Sequence, residues 1–251
     1  MTFVLPTPAG ADRARARAAA LADRYAGNVA ADVIEAMVGC EFPGRIALVS
    51  SFGAESAVML HIAAAVDPAM PVIFLDTGKL FPETLEYCNR LVDALGLTNL
   101  RRVTPEAREL AAYDPADDLW ADGPDRCCHI RKVLPLKRAL LGFDAWFTGR
   151  KRHHGGGRAD LPVFEAQDGR VKVNPLAHWD RHRVDTYIRR NRLPRHPLEA
   201  VGYPSIGCVP CTAPVGAGDD PRAGRWPGLA KGECGIHFAA RPERPRSAAG
   251  C

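Results

Sequence analysis

Apolar and polar positions divide the first 150 residues into short repeating units. Residues 11–39 are rich in Ala and Arg with helical spacing. Arg45-Ile-Ala-Leu-Val-Ser50 is a brief apolar run that opens into SSFGAES and then into the apolar helix AVMLHIAAAV. The unit recurs. PVIFLDT reads as a second buried strand, and PETLEYCNRLVDALG as a helix with Leu85, Cys88, Val92 and Leu95 on one face. NLRRVTP reads as a third strand, residues 130–141 as a helix, and DAWFTGR as a fourth strand. Short buried strands alternating with helices predict an α/β fold, a parallel twisted sheet with helices on both faces. Ligands in such folds lie beyond the carboxyl ends of the strands. Three strands run into polar, Gly-containing turns, SSFGAES, LDTGKLF and TGRKRHHGGGR, which are expected to line one site.

From Val171 the pattern changes. KVNPLAHWDRHRVDTYIRRNRLP carries one strand and one helix, with His178 and His182 read as surface positions on that helix. Pro and Gly then become dense through a long irregular C-terminal segment, and AARPERPRSAAGC reads as a solvated tail. No internal repeat is present. With 251 residues, 47% hydrophobic and 25% charged, the chain has the composition of an ordinary soluble protein. A net charge of +4, with 29 acids against the cations, argues against a general nucleic-acid binder. No stretch approaches the ~20 apolar residues of a membrane helix, and the N-terminus lacks a signal layout. A cytoplasmic location is expected, where eight cysteines point to metal binding or catalysis rather than disulfides.

Five of those cysteines lie in polar surroundings: Cys127-Cys128 in DRCCHIRK, Cys208 and Cys211 in GCVPC, and Cys234 in KGECGIH. Two pairs form a ligand pattern for one soft metal centre. Adjacent side chains diverge, so Cys127 and Cys128 can share a centre only where the backbone bends. A multi-iron cluster accommodates that more readily than one zinc, but spacing alone leaves both open. Cys234 is either a further ligand or a free thiol. Cys88 reads as core, Cys40 as a helix end and Cys251 as part of the tail.

SSFGAES follows a strand and begins a helix, so Ser51, Phe52 and Gly53 can bring backbone N–H groups and a helix N-terminus to an anion. It is neither a P-loop nor a G-x-G-x-x-G turn. Arg150, Lys151, Arg152 and Arg158 follow a core strand on a glycine-rich bed and are anion-binding candidates. Asp76 either meets the ligand or caps its own LDTG turn. His61 reads as a core or supporting residue.

Taken in order, SSFGAES, LDTGKLFPET, CCHIRK, TGRKR, GCVPCT, RAGRW and KGECGIH resemble the assimilatory adenylyl-sulfate (APS) reductases, sister enzymes of the phosphoadenylyl-sulfate (PAPS) reductases. The resemblance spans about residues 45–237. It implies an ATP-pyrophosphatase-like fold with SSFGAES as a modified pyrophosphate loop. It also implies a [4Fe-4S] cluster on Cys127, Cys128, Cys208 and Cys211, and a nucleophile at Cys234. The implied reaction is thiol-dependent reduction of adenosine 5′-phosphosulfate to sulfite and AMP through an S-sulfocysteine. Lys132, Lys151, Arg152, Arg158, Arg222 and Arg225 are the cations that would offset the substrate's charge. The implied electron donor is thioredoxin or a similar dithiol, since no thioredoxin-like domain is recognisable here; a homo-oligomer is left open.

The implied organisation is an N-terminal helical segment (1–40), an α/β nucleotide-binding core (41–207), and a C-terminal segment (208–251). That last segment belongs to the same domain and bears the C-x-x-C and a mobile catalytic tail. Three departures stand out. His153, His154 and three glycines replace the family's Gln-Ser, Ala213 replaces an arginine, and Pro227 replaces a second tryptophan. His237 reads as orienting the tail or binding phosphate rather than as an acid or base. The competing readings are a cluster-bearing PAPS reductase, an ATP-dependent tRNA-thiolating enzyme and a zinc-stabilised binding module. The absence of an SGGKDS-type loop argues against the second.

Overall fold

The computed structural model describes residues 8–216, 218–229 and 231–238. Six strands form one sheet in the order β3-β2-β1-β4-β6-β5. They are β1 (Ile46–Ser50), β2 (Val72–Leu75), β3 (Leu100–Val103), β4 (Ala145–Phe147), β5 (Phe164–Gln167) and β6 (Arg170–Val173). All neighbours pair parallel except β5 and β6, which form an antiparallel hairpin at one edge. IALVS and VIFL are buried at every position, as strands covered on both faces must be. Their register sets Leu48 opposite Val72 on one side and Phe147 on the other.

The helices are α1 (Pro8–Arg24), α2 (Ala30–Ala36), α3 (Ser56–Val66), α4 (Pro82–Leu95), α5 (Ala107–Tyr113), α6 (Leu119–Asp122), α7 (Pro124–Cys128), α8 (Leu134–Ala139) and α9 (Arg181–Arg190). Sheet residues alternate between two cores. Leu48, Phe74, Phe147 and Val173 pack with residues of α1 to α4 and α9, whereas Val49, Ile73, Leu75 and Trp146 pack with Leu136 and Leu140. Helices on both faces of a mostly parallel sheet are the expected architecture. Pro82 opens α4, and Gly96 closes it at φ 63°, the left-handed conformation that glycine adopts most cheaply.

Several elements differ from the sequence expectation. The single N-terminal helix is two, α1 and α2, the latter running into a π-turn at Met37–Glu41 that holds the exposed Cys40. The helix expected from Ile130 already begins at Pro124, so the cysteine pair lies on it. A π-turn over His129–Val133 widens it directly after Cys128, which supplies the local bend that the adjacent pair requires. His178 is exposed but precedes α9; His182 is exposed on it. The β5 strand was missed. Its signal was the Asp168-Gly169 turn, both residues at positive φ (50° and 75°), as a two-residue hairpin demands. The irregular C-terminal segment is tied down by the bridges Leu80↔Cys208 and Thr212↔Arg225. The solvated-tail reading and Cys251 lie outside the described residues.

Candidate active site

Beyond the carboxyl ends of β1 and β4 lies a cleft of about 220 Å³. The SSFGAES turn forms its floor. Phe52 adopts φ 49°, strained for a non-glycine residue. Its ring is fully buried, edge-on to Phe74 at 4.9 Å, and its N–H donates to Ser50 Oγ at 3.2 Å. Burial of that ring turns Ser51 and Gly53 toward the cleft, ahead of α3. The Phe52 side chain itself does not line the cleft, unlike Ser51 and Gly53 on either side of it.

Of the expected cations, Lys132, Lys151, Arg158, Arg222 and Arg225 line the cleft. Arg152 does not. It turns away and donates to the Leu161 carbonyl at 2.8 Å, where a short 3-10 turn begins (Arg152–His154), while Arg150 and Lys151 face the cleft. Arg150 is paired with Glu165. Lys151, 2% exposed, lies 2.8 Å from Glu55. The Glu55 carboxylate also meets His154 Nε2 at 3.0 Å and His153 Nε2 at 3.4 Å. Burial works against ionisation of Glu55, but Lys151 and the two imidazoles outweigh it and hold the carboxyl far below its usual range. Against the same carboxylate the imidazoles diverge. Glu55 raises His153, while burial pushes His154 down to about 4. The two histidines at the family's Gln-Ser position thus clamp an acid of the phosphate-cradling turn. The sequence reading missed that acid, although it stands within SSFGAES.

The cysteines separate into two groups. Cys127, Cys128, Cys208 and Cys211 surround one small cavity, with Lys79, Trp120, Arg131, Lys132 and Pro210 completing its wall. Arg131, also missed, holds this corner together. It forms a buried ion pair with Asp114 (2.6 Å) and donates to the Thr77 carbonyl (2.8 Å), while Thr77 Oγ1 lies 3.2 Å from Cys208 Sγ. Asp76 accepts from Gly78 N at 3.1 Å and so braces its own turn. His61 Nδ1 meets the Tyr187 hydroxyl at 2.8 Å, joining α3 to α9 away from the cleft. Cys88 is fully buried in the core.

Cys234 lines the cleft instead, packed with Trp226 and Cys128. Its thiol is held well below the ordinary cysteine range. The Cys128 thiol donating to it is the largest cause, and Lys132, the Ile236 N–H and Arg225 add to it against a burial penalty. A metal-bound Cys128 would no longer donate, but the two cations and the backbone N–H would remain.

The tail bearing Cys234 is docked by polar contacts. Arg158 grips Glu233 through two bonds (2.5 and 2.9 Å), and Arg222 donates to the Gly232 carbonyl at 2.9 Å. His237 stacks on Trp146 with centroids 6.4 Å apart. Burial, reinforced by Lys172 and Arg150, holds its imidazole far below the usual range and therefore neutral.

A strand–turn–helix at the head of a mostly parallel sheet, with a cleft at the carboxyl ends of its strands, defines an α/β domain of the ATP-pyrophosphatase-like class. FMN adenylyltransferase from Candida glabrata shares this fold at 14% identity and a TM-score of 0.51, over 82% of this chain and 74% of that one. More specifically, the family described as the phosphoadenosine phosphosulfate reductase domain matches residues 45–214, and the chain belongs to that family. It is 53% identical to the adenosine 5′-phosphosulfate reductase of Chelativorans sp., over 86% of this chain and 88% of that protein. It is 50% identical to the enzyme of the same name from Mesorhizobium japonicum, over 91% and 90%. The phosphoadenylyl-sulfate reductase of Candida auris, solved as a phosphate complex, superposes with a TM-score of 0.66 at 29% identity, over 79% and 96%. Among the described residues no helix is long and apolar enough to cross a membrane.

Proposed function

We propose that the protein reduces adenosine 5′-phosphosulfate to sulfite and AMP in sulfate assimilation, with Cys234 as the nucleophile. The observation that carries the reading is the position of Cys234 in the cleft above Ser51 and Gly53, with Lys132 and Arg225 lowering its thiol. The relatives' shared name supports the substrate, and the cationic side chains on the cleft, Lys132, Lys151, Arg158, Arg222 and Arg225 among them, suit its charge. The Cys234 thiolate attacks the sulfo sulfur and forms an S–S bond. The S–O bond to AMP breaks, and AMP leaves with that electron pair. Lys151, Arg158, Arg222 and Arg225 offset the repulsion between thiolate and anion and the charge developing on the leaving phosphate. An external dithiol, most simply thioredoxin, then attacks Cys234 Sγ. Sulfite departs with the electron pair of the S–S bond, and the second thiol resolves the mixed disulfide as the donor becomes a disulfide.

Cys127, Cys128, Cys208 and Cys211 would hold a [4Fe-4S] cluster. Four sulfurs around one cavity suit such a group. When bound, the cluster would fix α7 to the Cys208–Cys211 turn and set its charge beside Lys132. The soluble, cytoplasmic setting belongs to this proposal as well.

Anaerobic purification, iron and sulfide analysis, and turnover with APS and PAPS test the reading. A brown protein that prefers APS is expected, and Cys234→Ser should keep its iron while losing sulfite formation. Retained activity in that variant, or a strong preference for PAPS, would overturn the reading.

A further inference from the structure

The tail carries the nucleophile, yet only one side chain of the described structure bonds its backbone on both sides of His237. Gln167, at the end of β5, donates from Nε2 to the carbonyls of Ile236 (2.8 Å) and Phe238 (3.1 Å). Its Oε1 accepts from Lys172 Nζ at 2.8 Å. The amide orientation is unambiguous on chemical grounds. Reversing it would set an oxygen against two carbonyls and an NH2 group against the lysine. Lys172 is fully buried, lies 5.0 Å from the Trp146 ring centroid, and is 3.4 Å from Glu165. Gln167 itself is absent from the lining of the cleft and reaches it only through the Ile236 backbone. Both residues stand on the β5–β6 hairpin, whose parallel partner β4 leads directly into the cation-bearing turn.

We propose that Gln167, held in orientation by Lys172, is a positioning residue that sets how the Cys234 tail docks over the cleft. The hairpin edge is rigid, since β6 pairs with both β4 and β5. The tail has no ladder of its own beyond a 3-10 turn at Gly235–His237. Two carbonyl contacts, one within that turn at Ile236 and one just after it at Phe238, fix its direction, and Cys234 sits two residues before the first of them. Two hydrogen bonds of modest net strength can hold a segment in place without making its release slow. That balance suits a thiol that must meet a bound nucleotide and then an external protein. The proposal rests on Cys234 being the nucleophile only for its kinetic consequence; the docking claim stands on the contacts alone.

The test uses the full-length protein purified anaerobically, with Gln167→Glu as the deciding variant and Gln167→Leu beside it. Glutamate is isosteric and pairs with Lys172, so the hairpin persists, but its carboxylate cannot donate to the two carbonyls. The first readout needs no substrate: the rate of iodoacetamide labelling at Cys234 relative to the exposed Cys40. About a tenfold rise in that ratio is expected for Gln167→Glu, in keeping with the loss of about 1.4 kcal/mol of docking. Thermal unfolding should be unchanged. The second readout separates the half-reactions. Adduct formation from APS should slow by a similar factor, while release of sulfite from preformed adduct by a dithiol should not. An unchanged labelling ratio in Gln167→Glu overturns the proposal, even if Gln167→Leu is impaired, because only packing would then be at work. Faster labelling with unaltered adduct formation would uphold docking but count against Cys234 as the reacting thiol.

Discussion

Two cysteine-bearing regions sit side by side in this molecule and are held in opposite ways. The Cys127–Cys128 and Cys208–Cys211 corner is built in. A helix with a π-turn, a buried Arg131–Asp114 pair and the Leu80↔Cys208 bridge fasten it to the ends of the sheet. The Cys234 tail is docked rather than built in. Its backbone is reached by side chains of other elements, Arg222 and Gln167, and its Glu233 by Arg158. The contrast follows from what each sulfur is asked to do. Under the proposed function, four ligands of one centre would hold fixed positions, whereas a nucleophile serving two partners would travel.

That contrast can be broken from the built-in side first. An added Cβ at Gly207 would lie 2.3 Å from Arg225 Nη2 and 2.6 Å from its Cζ. To make room, Arg225 has to swing aside and give up the bond its Nη1 donates to the Ile206 carbonyl at 3.1 Å. Gly207→Ala should therefore displace a cation from beside Cys234 and lower kcat/KM about 10²-fold, as misplacement of a catalytic group does. Iron content, read by absorbance and analysis, should persist because Cys208 keeps its contact with Thr77.

A smaller effect comes from the docked side. Burial alone would raise the Glu233 carboxyl, but Arg158 overcomes it and holds the group down to about 2. A carboxyl lowered in this way contributes docking energy above its free pKa of ~4.3 and loses it only as pH falls toward 2. Tail docking should thus be insensitive to Glu233 between pH 8 and 5. Glu233→Gln replaces a charge-assisted fork with a weaker one and should slow adduct formation about tenfold at all those pH values. Rapid-quench kinetics across pH would reveal a uniform loss, and a loss appearing only at high pH would contradict the assignment.

The smallest effect concerns folding. His154 is lowered to about 4, chiefly by burial, so the folded state resists its protonation. Its contribution is complete above the free pKa of ~6.5 and is lost as pH falls toward 4, at most about 3 kcal/mol. His153, raised by Glu55, acts with the opposite sign and strengthens the fold below the same free value. Denaturant titrations at pH 7.5 and 5 should therefore lose less stability in His154→Gln than in the parent chain, and more in His153→Gln.

The central strands were legible because burial on both faces writes itself as unbroken runs such as IALVS and VIFL. The hairpin that latches the tail was not. FEAQ is half-exposed at its centre and alternates too weakly to read as a strand, leaving Asp168-Gly169 as its lone signal. The cysteine pairs were visible as pairs, and their adjacency already demanded a bend, but the π-turn that supplies it has no residue code. Which members of the run Arg150 to Arg158 face the cleft depends on backbone direction after β4, and there Arg152 fell on the wrong side. Glu55 went unremarked because an acid in an anion-binding turn makes sense only once Lys151 and two histidines are seen around it.

The most direct test of the whole account is to mix the anaerobic protein with APS in the absence of any dithiol and analyse its tail peptide by mass spectrometry. The account predicts one sulfo group on Cys234, stoichiometric AMP, and sulfite only after a dithiol is added. Sulfite release without reductant, or an adduct on a cysteine other than Cys234, would contradict it.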